Sequence, residues 1–352
     1  MTKKANIRDV AKAAGVSITA VSQIMNGLNR YSDETVKKVW DAVNELKYTP
    51  NPYAKKIFSR DTSRVSTGLL LRITYHSHAA RRFQPTDHEA IRMFYFERSC
   101  MCHDHFGSNY VFRHGLELRN RLLFNDNLDG VILGLPHADL IRQISARMPA
   151  VLTDIEVDPE AVGIPVINTD FVQGFTTVLK RIQAAGIPLK MAVITGTNDE
   201  IADSVVTPES LAADFVYAAM HTDTELKKEH LINYAISNDT NKEVMKKIVK
   251  KVVQLVKNEG IRIVGIRNID IPEKLAAGLE EAGLRLPEDV ILLTSCDLPI
   301  RRRGVAAVSY DWEKMMEIAV DVLLQKIEGD SSVPGKYLVP CGEIETDFLD
   351  KK

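Results

Sequence analysis

The stretch NIRDVAKAAGVSITAVSQIMNG, residues 6–27, constrains this chain more than any other part of it. It reads as two short helices broken at Gly15. Asn6 caps the first, Asp9 sits near its positive end, and Val10, Ala11 and Ala14 share one face. Gly15 supplies a turn with φ > 0, Val16 is the apolar pivot, and Ser17 caps the second helix. That helix stops at Asn26-Gly27, a good terminator. Val21, Ile24 and Met25 fall together on one side, with Thr19, Ser22, Gln23 and Asn26 opposite. An apolar back and a short-chain polar front suit a recognition helix in the DNA major groove. They equally suit an ordinary amphipathic helical hairpin.

Charge separates the chain into two parts. Residues 1–64 carry 12 Lys and Arg against 6 Asp and Glu, a net of +6. The remainder holds 33 basic and 41 acidic residues, a net of −8. A basic head on an acidic body is the footprint of a DNA reader with a separate sensing body. A chain of 352 residues exceeds one compact core and implies two or three domains. No run of about 18 apolar residues occurs, so no membrane span is expected. No apolar signal core precedes the first helix, which makes the cytoplasm the expected location. Four cysteines in such a chain make no disulfide framework and are expected as free thiols.

Beyond residue 60, apolar runs alternate with helical patterns. Strands are expected at 65–71, 109–113, 129–133, 150–153, 164–168, 190–195, 230–236, 261–266, 290–295 and 305–309. Helices are expected at 88–106, 115–125, 138–147, 171–185, 208–220, 240–258, 271–282 and 311–328. Near-continuous apolar strands alternating with helices predict parallel sheets covered on both faces, an α/β body.

The first stretch resembles the headpiece of the LacI/GalR family of bacterial repressors, whose pattern is DVAxxAGVSxxTVSxxxNG. The match runs through Asp9, Val10, Ala11, Ala14, Gly15, Val16, Ser17, Val21, Ser22, Asn26 and Gly27, with Ala20 in place of Thr. Ser32-Asp33-Glu34-Thr35 then opens a third helix with Val36, Val39, Trp40, Val43 and Leu46 on its buried side. Tyr48-Thr49-Pro50-Asn51-Pro52 resembles the family's YxPN lead into a hinge. The body resembles the two-lobed type I periplasmic-binding-protein architecture, with landmarks at Asp129-Gly130, Asn168-Thr169-Asp170, Gly174 and Leu279–Val290. The resemblance implies a helix-turn-helix headpiece over 1–50, a hinge helix and linker over 51–64, and an effector-binding and dimerisation body over 65–352. Its lobes would comprise 65–168 plus 294–325, and 169–293 plus 326–352.

What the resemblance implies for sites follows residue by residue. Ile18, Thr19 and Gln23 match the family's base-reading positions; Gln pairs bidentately with adenine, and Ile18 meets a thymine methyl or else covers the core. Ser22 and Asn26 fit phosphate contacts. In the hinge, Ile57 stands where the family wedges a leucine into the minor groove, with Phe58 as a competing wedge and Lys55 and Lys56 to neutralise phosphates. Alternatively Ile57 and Phe58 pack the linker onto the body.

In the effector cleft the family's Arg ahead of a Gly-Phe pair becomes Leu211 ahead of Asp214-Phe215, and its Gly-Phe-Asp-Asp becomes Thr294-Ser295-Cys296-Asp297. Arg72, Tyr75, Asp154, Phe215, Asn268, Asp270 and Asp297 are the expected effector contacts, near strand ends. Cys100, Cys102, His103 and His105 invite a zinc reading, but on a helix they form two pairs facing different ways. They are expected as ordinary thiols and imidazoles, and no metal or cofactor is expected. No nucleophile elbow, phosphate-cradling glycine loop or HExxH is present, so no enzyme is expected. The expectation is a homodimeric regulator of a metabolic operon that binds double-stranded operator DNA under control of a sugar or other small metabolite. The alternative is a regulator whose body docks a protein partner.

Overall fold

The computed structural model describes residues 7–25, 31–46, 65–72, 87–103, 105–112, 128–134, 137–155, 157–197, 207–235, 242–267, 271–297, 300, 302–346 and 348–349. The chain divides into two compact units, Met1–Arg64 and Val65–Lys352.

In the first unit, α1 (Ile7–Ala14) and α2 (Ile18–Met25) meet at Gly15. Gly15 has φ +67°, a left-handed conformation that costs residues with a Cβ. The Val16 amide returns to the Ala11 carbonyl at 3.0 Å, and Ser17 Oγ accepts from the Ala20 amide at 3.1 Å to cap α2. Ser32 likewise accepts from the Thr35 amide to open α3 (Asp33–Glu45). Val10, Ala11, Ala14, Val21, Ile24, Val39, Ala42 and Val43 close a small core flanked by Val36 and Leu46. Trp40, expected on the buried side of α3, is 43% exposed. A core lined so heavily by alanines has no room for an indole at its margin.

The second unit contains two sheets. The first includes β1 (Ser66–Arg72), β2 (Phe106–Phe112), β3 (Gly130–Gly134), β4 (Ala150–Thr153), β5 (Val166–Thr169) and, late in the chain, β11 (Lys336–Val339). The second includes β6 (Met191–Thr197), β7 (Leu231–Ala235), β8 (Ile263–Ile266), β9 (Ile291–Cys296), β10 (Val305–Ser309) and β12 (Ile344–Glu345). Their orders are β2-β1-β3-β4-β5-β11 and β7-β6-β8-β9-β10-β12, the same plan twice. Neighbouring strands are parallel except β10 with β12. β3, β4, β5, β8 and β9 are buried along their whole length, as parallel strands covered on both faces must be.

Helices α4 (Asp87–Cys102), α5 (Ala138–Ser145), α6 (Pro159–Val162) and α11 (Trp312–Ile327) accompany the first sheet. Phe96 of α4 and Trp312, Met315, Met316, Val320 and Leu323 of α11 share its core. On the second sheet, α7 (Phe171–Ala184) and α8 (Pro208–Met220) cover one face, while α9 (Lys242–Glu259) and α10 (Ile271–Glu281) cover the other. Gly174 lets α7 lie directly on β10: a Cβ there would come within 2.6 Å of Val308.

The lobes divide differently from the expected boundaries. Residues 294–309 stay with the second sheet, because β10 pairs with β9 along Val305–Ser309. The chain returns to the first sheet only at α11. Residues 326–352 are shared: β11 pairs with β5, and β12 with β10. The chain thus passes between sheets at 169–171, 309–312 and 339–344.

Candidate functional site

The first unit offers a surface and the second a band of buried polar and aromatic contacts between its two sheets. On the surface, Val21 and Ile24 seal the back of α2 against the core, which leaves its other side outward. Ile18 is 45% exposed, so it does not cover the core, and Thr19 is exposed beside it. Gln23 is half-buried, and its Oε1 accepts a hydrogen bond from the Tyr31 hydroxyl. Ser22 lies in α2, its side chain outside the described part. Asn26, Lys55, Lys56, Ile57 and Phe58 lie outside the described residues. Arg8, Lys12, Lys37 and Lys38 are exposed on the same unit, giving it the positive field that phosphates require.

In the second unit, the turn after β4 is built for a purpose. Asp154 has φ +57°, a left-handed backbone in a residue with a Cβ, and such strain concentrates at functional positions. Three hydrogen bonds hold it there. The Asp154 amide donates to the Ile167 carbonyl at 3.1 Å, and Asn168 clasps Ile155 by accepting from its amide and donating to its carbonyl. The Asp154 carboxylate lies 3.7 Å from buried Arg92, whose guanidinium also donates to Thr153 Oγ1 at 3.0 Å and stands 4.9 Å over the Trp312 ring.

From there the contacts run into the other lobe. Trp312 donates from Nε1 to Asp297 at 2.7 Å and stacks on Tyr310 at 4.5 Å. Tyr310 meets Phe171 edge-on, and Phe171 carries the Arg267 guanidinium over its face at 4.7 Å. Arg267 is in turn ion-paired with Asp214, both side chains nearly buried. Burial of the Tyr310 hydroxyl pushes the phenol well above its ordinary range; Asp154 and Asp297 add to this and Arg267 opposes it. Two arginines, three carboxylates and three aromatic faces therefore form one continuous band between the lobes, at the carboxyl ends of β4, β8 and β9. That is where open parallel sheets hold ligands.

The sequence profile of the bacterial regulatory proteins of the lacI family matches residues 6–51. The HTH-type transcriptional regulator DegA of Bacillus subtilis is 48% identical over 63 residues, 18% of this chain and 19% of DegA. The HTH-type transcriptional repressor PurR of Aliivibrio fischeri is 23% identical over 333 residues, 92% of each chain. The DNA-binding region of the lacI family thus stands at residues 6–51. Among solved structures, the Lac repressor dimer bound to operator and the anti-inducer ONPF superposes with a TM-score of 0.64 at 20% identity, over 98% of each chain. The chain is a DNA-binding transcriptional regulator with an effector-binding body.

Of the expected effector contacts, Asp154 and Asp297 stand in the band. Phe215 does not: it is fully buried, stacks on Phe175 at 4.3 Å and packs on Gly265. One step along a helix turns a side chain by about 100°, so Asp214 faces Arg267 while Phe215 faces the sheet. Arg72 ends β1, its side chain outside the described part; Tyr75, Asn268 and Asp270 lie outside the described residues. Sequence reasoning missed Arg92, Asp214, Phe171, Arg267, Tyr310 and Trp312. The signal available was a lone Arg in the apolar run Ile91–Phe96, and an aromatic pair at the strand-to-helix junction Tyr310-Asp311-Trp312.

The Cys100–His105 segment holds its thiols and imidazoles in different settings. Cys100 is buried against Thr67, Cys102 is exposed, and His103 pairs with Asp321 at 3.0 Å. Among the described residues no three potential metal ligands converge. Arg302 and Arg303 pair with Glu280 and Glu288 at the surface.

Proposed function

We propose that this protein is a dimeric repressor of a metabolic operon, in which α2 reads a half-site and the band between the lobes holds a small effector. The exposed front of α2, with Ile18, Thr19 and Gln23 outward over a sealed core, carries the DNA reading. One such head buries too little surface for tight binding, so two copies read a near-palindromic site. Each arginine described in the band already lies against a carboxylate, Arg92 by Asp154 and Arg267 by Asp214. With Asp297 as a third carboxylate against these two arginines, the described groups of the band carry an excess of negative charge, which favours a neutral, hydroxyl-bearing metabolite such as a sugar over a phosphorylated one. Asp154 and Asp297 supply acceptors for hydroxyls, and buried Trp312 backs Asp297 through its Nε1 bond.

Selection on randomised DNA tests the first half: a palindromic consensus with a dimer on it is expected. A monomer in the analytical ultracentrifuge at micromolar concentration, bound one-to-one to DNA, overturns it. The second half uses Trp312 as reporter. In a Trp40→Phe protein it is the remaining tryptophan, and a panel of neutral sugars and their phosphates is titrated against its emission. A saturable change with a neutral sugar, weakened by Asp297→Ala, is expected. Response to phosphorylated compounds only would refute the charge argument.

A further inference from the structure

Tyr31 precedes the Ser32 cap of α3, and its half-buried ring packs against the head core. Its hydroxyl crosses to α2 and donates to Gln23 Oε1. An amide has two chemically opposite ends: the oxygen only accepts and the nitrogen only donates. Reading adenine requires both, the nitrogen toward N7 and the oxygen toward the N6 amino group, so an amide flipped by 180° presents the wrong pattern. In a free Gln side chain the flip and three rotatable bonds are unrestrained. Here the Tyr31 hydroxyl anchors the amide: a hydroxyl both donates and accepts, so the bond fixes where the amide sits and removes the freedom of its rotatable bonds, and the adenine edge then selects the end that faces it.

We propose that Tyr31 is a positioning residue for DNA specificity: by holding the Gln23 amide in one place it sharpens the base discrimination of α2. This rests on Gln23 being a base reader. Tyr31 itself need touch no DNA. The ring is seated by the core, so the constraint passes from the α3 side of the head to the front of α2, and the ordering cost is met before DNA arrives.

The test compares the full-length protein with Tyr31→Phe, Gln23→Ala and the double variant, each selected on randomised half-sites. Tyr31→Phe keeps the ring and removes one hydroxyl. It is expected to relax discrimination about fivefold, the worth of one neutral hydrogen bond, at the one base pair per half-site that Gln23→Ala also affects. Preferences elsewhere and the salt dependence stay unchanged. In the Gln23→Ala background, Tyr31→Phe is expected to do nothing further. If Gln23→Ala alters one base pair and Tyr31→Phe does not, the positioning role is wrong and the reader assignment stands. Should Tyr31→Phe instead weaken all sequences equally, its role is structural and the proposal fails. No change in any base preference with Gln23→Ala removes the reader assignment itself, and this proposal with it.

Discussion

Phe215 gives the sharpest test of how the body is built, because its two possible roles predict opposite results. As an effector contact it would sit at a cleft wall, and truncation would alter ligand affinity with little effect on stability. The structure puts it instead at zero exposure between Phe175 and Gly265. Phe215→Ala then removes a ring from a sealed layer. Loss of transfer energy plus the cavity costs about 3–5 kcal/mol, of which the stacking on Phe175 is about 1 kcal/mol. For a unit of this size each kcal/mol lowers the melting point by about 2–4 °C, so a fall of roughly 10 °C is expected. Phe215→Leu, which refills most of the space, should lose about a third as much. Differential scanning calorimetry of the three proteins decides the matter. A Phe215→Ala protein that melts within about a degree of the parent would refute the core placement.

Removing residues 1–64 is expected to leave the body folded by circular dichroism and to abolish operator binding, while the intact protein weakens steeply with salt. Gly15→Ala meets nothing within 4 Å, so its cost is the left-handed backbone alone, about 1–2 kcal/mol of head stability by thermal melting. Burial pushes the Cys100 thiol up to about 11 and the Cys296 thiol to about 12, so at neutral pH a thiol reagent should modify exposed Cys102 first and these two only on unfolding. The same two thiols and the Tyr310 phenol all have raised folded values. The stability they carry is whole below about pH 8.5 and is lost as pH climbs through the folded values, a decline that urea melts at neutral pH and about pH 10 should show.

How much of this was legible in the sequence depended on the range of the interactions involved. The head follows from neighbours three and four apart, and the caps at Ser17 and Ser32 and the turn at Gly15 are local chemistry. The strands buried on both faces announce themselves as apolar runs. β11 and β12 do not: β11 has exposed Lys336 and Leu338, and β12 is two residues long. The lobe boundaries were misplaced partly for that reason: β11 and β12 divide 326–352 between the sheets, while 294–309 stay in the second sheet through the long-range pairing of β10 with β9. The band between the sheets was harder still. Arg92, Asp154, Arg267 and Trp312 come from four distant segments; Asp154 and Arg267 directly follow strands, whereas Arg92 and Trp312 sit in helices, where a strand-end rule does not look. Phe215 shows the opposite hazard, in which a position carried over from relatives landed one residue away from Asp214, the side chain that joins the band.

The late arrival of β11 and α11 in the first sheet governs how this protein can be made. An emerging chain presents β1 to β5 early, but the helix that covers them and the strand that closes their edge are among the last parts synthesised. At bacterial elongation rates that leaves an incomplete sheet with a bare β5 edge for on the order of ten seconds or more. A ribosome that stalls or terminates before residue 312 therefore releases a product whose first lobe lacks half its cover, a natural client for chaperones and proteases.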